Sequence, residues 1–350
     1  MRIVMLIDMD YFYVACEELR NPELKDKPTI VGAHPKEGKG RGVVMTCNYA
    51  ARKYGIHSGM PISSAYRIKP DANYLPTDFM YYEEKSREVM LIIKSYAYKM
   101  EQVSVDEAYV EVAEIEDYKA AEETARKVKS EIKEKTGLPC SIGISTNKLL
   151  AKMACSSAKP DGIKVVKAEN AAAFLREMPV GDLYGIGRKT SEKLEKLGYM
   201  KIGDLAKANI MHLMEIFGSF GLEMHNYANG IDDSEVNENY EVKSISREFT
   251  FEKDTNDREE VSNALLRLSK EVMDDVEKQG FSFKTVTLKR RYSDFSEQLK
   301  SRSIKPSNRL EDITETILSI YNAEDEKRKI RKLGVRVSGL TQYKMQKRLF

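Results

Sequence analysis

Five apolar residues, Ile3-Val4-Met5-Leu6-Ile7, run without interruption into an acid, Asp8. The run falls far short of the roughly 18–20 residues a membrane span needs. Arg2 ahead of it imitates the basic start of a secretion leader, but the stretch is too short for one and ends in acids. It predicts a buried strand with a carboxylate at its end. A second pattern restricts the fold further. Val103 and Val105, then Ala108, Val110 and Val112, alternate on either side of Asp106 and Glu107. That predicts strands over 102–106 and 108–112 with the acids at or near the turn.

The segments that follow fit one sheet. Ala121, Ala125, Val128 and Ile132 recur at helical spacing, and Gly137 closes that helix. A strand over Cys140–Ile144, a helix near 147–157 and a strand over 163–166 come next. The order is strand, long insertion, hairpin, helix, strand, helix, strand, which predicts a ferredoxin-like sheet with a small domain inserted after its first strand. Such a sheet brings Asp8 beside Asp106 and Glu107.

Residues 11–76 read as short helical stretches broken by Gly38, Gly40, Gly42, Gly55 and Gly59, and 167–230 as compact and helical. Residues 232–239 are polar, acidic and aperiodic, the composition of a linker. Beyond it, strands near 243–252, 283–292, 298–304 and 331–338 with helices at 257–278 and 308–321 predict a separate α+β domain. At 350 residues the chain is expected to form two to four compact units.

A net charge of +2 does not by itself imply nucleic acid, but its distribution is informative. Residues 327–348 hold nine Lys or Arg and no acid, and 284–309 hold eight against Asp294 and Glu297. Charge runs are ordinarily solvated faces. Here they lie in or beside strands of one region, which favours a surface that tracks phosphates. Cys16, Cys47, Cys140 and Cys155 show neither CxxC spacing nor His pairing, so they are expected to be reduced thiols in or near the core. A cytoplasmic location is expected.

Taken singly, strand-end acids are more often solvated than catalytic. Together, Asp8, Asp106 and Glu107 offer the hard oxygen ligands that Mg²⁺ prefers, and two such ions can clamp the attacking and leaving oxygens of a phosphoryl transfer. Asp10, two residues on, is left without a definite role. Asp8-Met9-Asp10-Tyr11-Phe12-Tyr13 and Ser104-Val105-Asp106-Glu107-Ala108-Tyr109 resemble the two catalytic motifs of Y-family DNA polymerases. The likeness continues through Thr46-Cys47-Asn48-Tyr49-Ala50-Ala51-Arg52, Asn147-Lys148-Leu149-Leu150-Ala151-Lys152 and Ala158-Lys159-Pro160-Asp161-Gly162. It is strongest over about 1–230 and extends to about 341.

The resemblance implies an α+β multidomain, right-hand polymerase. Its ferredoxin-like palm would be 1–10 and 77–166, its small fingers 11–76, and its helical thumb 167–231. A linker at 232–242, an α+β little finger at 243–341 and a tail at 342–350 would follow. It implies translesion copying of DNA with low fidelity and without proofreading. Two Mg²⁺ ions would be held by Asp8, Asp106, Glu107 and the Met9 carbonyl, with Glu107 serving the ion at the primer 3′-hydroxyl. Tyr11, Phe12, Tyr13, Thr46, Tyr49, Arg52 and Lys159 would surround the nucleotide, and Tyr13 would exclude a 2′-hydroxyl by shape. Val43, Met45 and Gly59 would roof the nascent base pair, Met45 being bulkier than the small residue some relatives carry.

Leu183-Tyr184-Gly185-Ile186-Gly187-Arg188-Lys189-Thr190 resembles a helix-hairpin-helix, whose glycines let backbone N–H groups approach a phosphate. Phe217-Gly218-Ser219-Phe220-Gly221 has the form of a second, degenerate copy. Gly185, Gly187 and Lys189 are expected to contact DNA there. Lys289, Arg290, Arg291, Arg302, Arg331, Lys332 and Arg336 are expected to do so from the little finger. Gln346-Lys347-Arg348-Leu349-Phe350 is similar to peptides that dock on sliding clamps. The implied partners are primer–template DNA, deoxynucleoside triphosphates and a clamp, with a monomeric enzyme and no membrane. Two rivals remain: another palm-type enzyme such as a nucleotide cyclase, which would lack the helix-hairpin-helix and basic domain, and a catalytically silent DNA-binding scaffold.

Overall fold

The computed structural model describes residues 2–112, 117–238, 241–324 and 327–342. The chain divides into two units, Met1–Asn239 and Tyr240–Phe350. Among the described residues no helix is long and apolar enough to cross a membrane.

The first unit begins with β1 (Val4–Met9) and α1 (Phe12–Arg20). Next come β2 (Thr29–Gly32), β3 (Val44–Cys47), α2 (Tyr49–Arg52), α3 (Ile62–Ile68) and β4 (Asn73–Leu75). The chain returns through α4 (Phe79–Tyr96), the hairpin β5 (Lys99–Gln102) and β6 (Glu107–Glu111), and α5 (Tyr118–Thr136). It finishes the sheet with β7 (Cys140–Ser145), α6 (Lys148–Ala158) and β8 (Ile163–Val165). The sheet order is β5-β6-β1-β7-β8. Every residue of β1 is buried because the strand is covered on both faces. Met5, Ile7 and Met9 enter the core that holds Val128 and Ile132 of α5, while Val4 and Leu6 pack with Ala151 and Cys155 of α6. Asp117 caps α5 by accepting from the Ala120 amide at 2.8 Å, and Gly137 ends it at φ 72°.

Residues 21–76 differ from the helical reading. They form a small sheet, β3-β2-β4, with α2 and α3 on its own core of Ile30, Val44, Cys47 and Ile62. Strands of three or four residues are too short to declare a period of two. The helices α7 (Ala171–Arg176), α8 (Arg188–Lys196), α9 (Ile202–Ala206), α10 (Ile210–Phe217) and α11 (Ser219–Ala228) enclose a separate core of Leu175, Leu194, Leu205 and Leu213.

The stretch expected to be a free linker is fastened down over its described part. Residues 231–238 have no regular structure, yet Val236 is only 3% exposed and packs with Val4, Leu6, Tyr109, Ala151 and Cys155. Asp232 accepts from the Leu149 amide at 2.9 Å, and the Asn237 amide donates to Glu101 at 2.9 Å. One apolar residue among acids gives no periodicity, so the sequence hides this strap.

The second unit contains β9 (Ser244–Thr255), α12 (Arg258–Lys278), β10 (Phe281–Tyr292), β11 (Glu297–Ser307), α13 (Leu310–Asn322), β12 (Ile330–Ser338) and β13 (Thr341–Gln342). Its antiparallel sheet runs β11-β10-β12-β9. Both helices pack on one face, joining Leu265, Val272 and Ile317 to Val286, Leu288, Leu333 and Val335 in one core.

Candidate active site

The two acidic patterns meet through strand register. β1 pairs antiparallel with β6, setting Asp8 opposite Glu107, and the Met9 amide donates to the Asp106 carbonyl at 2.8 Å. Asp106 lies in the hairpin turn, where the Ser104 hydroxyl donates to its carboxylate at 2.6 Å. On the other side of β1, β7 is covered by α6. A Cβ at Gly143 would stand 2.0 Å from the Ala151 carbonyl oxygen, so only glycine allows this helix so near the strand. The approach delivers two ammonium groups to the acids. Lys152 bridges Asp8, at 3.1 Å, and Glu107, and Lys159 pairs with Asp8.

Electrostatics separate the three carboxyls. Burial pushes Asp8 up, but Lys159 and Lys152 together outweigh it and hold its pKa below the usual aspartate value. Glu107 has a single ammonium, shared with Asp8, so burial prevails and its pKa is raised. Asp106 is raised by burial and by the neighbouring Asp8 charge, against the Ser104 hydrogen bond. As arranged, no three His, Cys, Asp or Glu side chains among the described residues stand together as a cation cage. Asp106 is turned to Ser104, and Lys152 occupies the space between the other two. The donor set nevertheless fits a hard divalent ion, being carboxylate oxygen throughout, and the ammoniums mark where positive charge is stabilised. Met9 carries a thioether and no side-chain oxygen, so its backbone carbonyl is the only oxygen it can offer a hard cation.

Asp10 has a definite place. It is fully buried, accepts from the Ser141 hydroxyl at 3.0 Å and the Asp161 amide at 2.7 Å, and thereby ties β1 to the loop after Lys159. Tyr49 reaches toward it at 3.5 Å. Tyr11 turns the chain from β1 into α1 at φ 39°, a strained conformation for a bulky residue, and sets its ring edge-on to Tyr49 at 5.6 Å. Arg52 lies 4.7 Å over the other ring of that pair and donates to the Cys47 carbonyl at 3.1 Å. Tyr11, Tyr49 and Arg52 are thus contiguous, with Thr46 half-buried on β3 beside them in sequence. Phe12 is a correction: its side chain is buried in the sheet's core and cannot line a nucleotide pocket. Tyr13 is half-buried, with its ring stacked on Tyr82. Val43 and Met45 point out from either side of buried Val44, and Gly59 donates to the Val44 carbonyl at 2.8 Å.

In the helical region, Gly185 adopts φ 88° and Gly187 caps α8, leaving Lys189 exposed in its first turn. In the second unit, consecutive basic residues fall on opposite faces, as a period of two requires. Lys289 and Arg291 share the helix-free face with Lys332 and Arg336 of β12, which stand opposite Arg291 and Thr287 in register. Glu248 and Glu297 intersperse that face, pairing with Lys289 at 3.0 Å and with Arg291 at 2.7 Å. Arg290 is a second correction. It is 1% exposed on the helix-covered side and bonded to Glu324 and the Ile320 carbonyl, so it cannot reach DNA. Arg302 lies opposite Val286 on that same side and donates to Ser319. Arg331 pairs with Asp254 at 3.8 Å. The Gln346–Phe350 peptide lies outside the described residues.

Sequence reasoning passed over Lys152, Ser104 and Ser141. Lys152 stands seven residues before Lys159, a helical repeat that could have paired them. The serines carried no signal before register was known. All four cysteines are buried and free, as expected.

The impB/mucB/samB family model matches residues 7–156, its C-terminal domain 242–349, and the IMS family HHH motif 168–199. The chain is 41% identical to DNA polymerase IV of Methanoculleus marisnigri, over 97% of this chain and 94% of that protein. It is 42% identical to DNA polymerase IV 2 of Methanosarcina mazei, over 97% and 92%. A solved Y-family DNA polymerase chimera of Dbh and Dpo4 superposes with a TM-score of 0.88 at 30% identity, covering 97% of this chain and 99% of that one. The chain therefore belongs to the impB/mucB/samB family of Y-family DNA polymerases, and is a metal-dependent, DNA-directed DNA polymerase that copies damaged templates.

Proposed function

We propose that Asp8, Asp106, Glu107 and the Met9 carbonyl hold two Mg²⁺ ions, and that deoxynucleoside triphosphates are joined to a primer at this site. The observation that carries the reading is the Asp8–Glu107 register with Asp106 one peptide away. Mg²⁺ there would lower the charge on the triphosphate and the pKa of the primer hydroxyl. The chain's own residues supply the rest. Lys159 and Arg52 offset phosphate charge, while Tyr11, Thr46 and Tyr49 offer hydroxyl donors to its oxygens. Tyr13 stands as the wall against a 2′-hydroxyl, and Val43, Met45 and Gly59 cover the base pair. Asp10 takes no part in metal binding and orients the loop that carries Lys159.

Residues 1–10 with 77–166 act as the palm, 11–76 as fingers, 167–231 as thumb and 243–341 as little finger. Gly185, Gly187 and Lys189, with Lys289, Arg291, Lys332 and Arg336, hold backbone phosphates without reading sequence. The enzyme works as a cytoplasmic monomer, and its terminal peptide docks on a sliding clamp. Incorporation of one correct nucleotide on a primed template, titrated with Mg²⁺, tests the site. It should be nil in EDTA and rise with a slope above one ion. Full incorporation in EDTA would refute the metal assignment.

A further inference from the structure

We infer that Tyr82 is a positioning residue for sugar selection, fixing the plane of the Tyr13 ring from behind with Phe79 as a second brace. The inference rests on the reading of Tyr13 as the sugar gate. A gate of this kind works by occupying the volume of one oxygen atom, so it fails if the ring can tilt or withdraw by that much. Tyr13 is half-buried in the first turn of α1, where Phe12 of the same helix meets its ring tilted, at 47° and 5.8 Å, and not face to face. The restraint comes from α4. The Tyr82 ring lies nearly parallel to it, at 15° and 4.4 Å between centroids, and Phe79 meets it edge-on at 83° and 6.2 Å. Residues three apart on a helix share a face, so α4 presents both rings together.

Tyr82 is itself immobilised. It is 1% exposed, and its hydroxyl donates to Glu17 of α1 at 2.7 Å. Arg20 pairs with Asp78, the cap of α4, at 2.6 Å. Tyr13, Glu17 and Arg20 fall at i, i+4 and i+7 on α1, one face that meets the cap and first turn of α4. The two helices are therefore locked in register at the level of the gate. Being buried, Tyr82 cannot touch an incoming sugar, so its influence on one must pass through Tyr13.

The test compares insertion of a deoxynucleotide and the matching ribonucleotide, as a ratio of kcat/KM, in Tyr13→Ala, Tyr82→Leu, Tyr82→Phe and Phe79→Leu enzymes. Tyr13→Ala should collapse the ratio. Tyr82→Leu should lower it by about tenfold or more, and Tyr82→Phe, which keeps the ring, by less than about threefold. Phe79→Leu should lower it by an intermediate factor. A merely structural role for Tyr82 would slow both substrates alike and leave the ratio unchanged, which overturns the inference. A ratio unmoved by Tyr13→Ala would overturn the gate reading itself. Should Tyr82→Leu not fold, Phe79→Leu decides: its side chain is 51% exposed and dispensable to the core, and an unchanged ratio there overturns the inference equally.

Discussion

Two of the sheets carry ladders of opposite charge, one at the Asp8 site and one on the helix-free face of the C-terminal unit. The Asp8 side chain is 8% exposed and is squeezed between two ammoniums. Glu248, the counterpart in the second unit, is 31% exposed, with Lys289 and Lys332 beside it. The same pairing chemistry therefore has different consequences. In the first sheet charges have lost much of their water, so each depends on its partner and any exchange of cation matters. In the second they remain solvated, so their mutual pairing is weak and they can be released to another anion at little cost. A phosphate backbone suits the second surface, and a fixed ion suits the first.

The comparison can be broken by substitutions whose effects it ranks. Asp106→Asn should lower nucleotide incorporation by a factor on the order of 10² to 10³. In the metal-free protein it should do the opposite to stability. Burial holds the Asp106 pKa above the ordinary value, so its charge is less favourable folded than unfolded, and stability falls as pH rises through that interval. Removing the charge should raise the melting point in EDTA. Arg290→Ala should destabilise the second unit by about 3 kcal/mol, since it leaves a buried cavity even though Lys300 still pairs with Glu324, yet leave the salt dependence of DNA binding unchanged.

Lys152→Met comes next, costing the metal-free enzyme about 2 kcal/mol, below the ~3–5 of a fully buried pair because the group keeps partial access to water. Thermal melting with and without Mg²⁺ measures it, and Mg²⁺ should restore part of the loss. Lys332→Ala should change stability by less than about 1 kcal/mol but reduce the salt slope of DNA binding by roughly one. The smallest effect concerns Glu248. Burial raises its pKa, but Lys332 and Lys289 outweigh that and set it below the ordinary 4.5. Its stabilising contribution is present above that value and is lost as pH falls through the lowered pKa. Glu248→Gln should slightly lower stability at neutral pH, where that contribution is lost, and flatten the acid limb below pH 4.5, so that the two proteins converge in acid.

The sequence made the acidic strand and its sheet legible because a buried strand run and an ordered set of elements demanded the same arrangement, but the strand expected over 102–106 runs Lys99–Gln102 and leaves Val103 and Val105 in the turn. What it concealed depends on partners distant in the chain. Asp10 finds its role through Ser141 and the Asp161 amide, 131 and 151 residues away, and Lys152 because Gly143 lets α6 lie against β7. Val236 is a lone apolar residue whose pocket is assembled from three separate elements. Arg290 looked like its neighbours because charge composition is blind to which face a strand residue takes. Phe12 had a motif to recommend it, but the turn at Tyr11 directs the next side chain into the core.

Extension of a labelled primer on a DNA template, with Mg²⁺ and each nucleotide, tests the central claim most directly when wild type is compared with Asp106→Ala and both are shown to bind primer–template. The account predicts template-directed growth by the wild type and none by the variant, with binding retained. Equal growth by both, or growth by neither with binding intact, would contradict the assignment of this acid cluster as the catalytic centre.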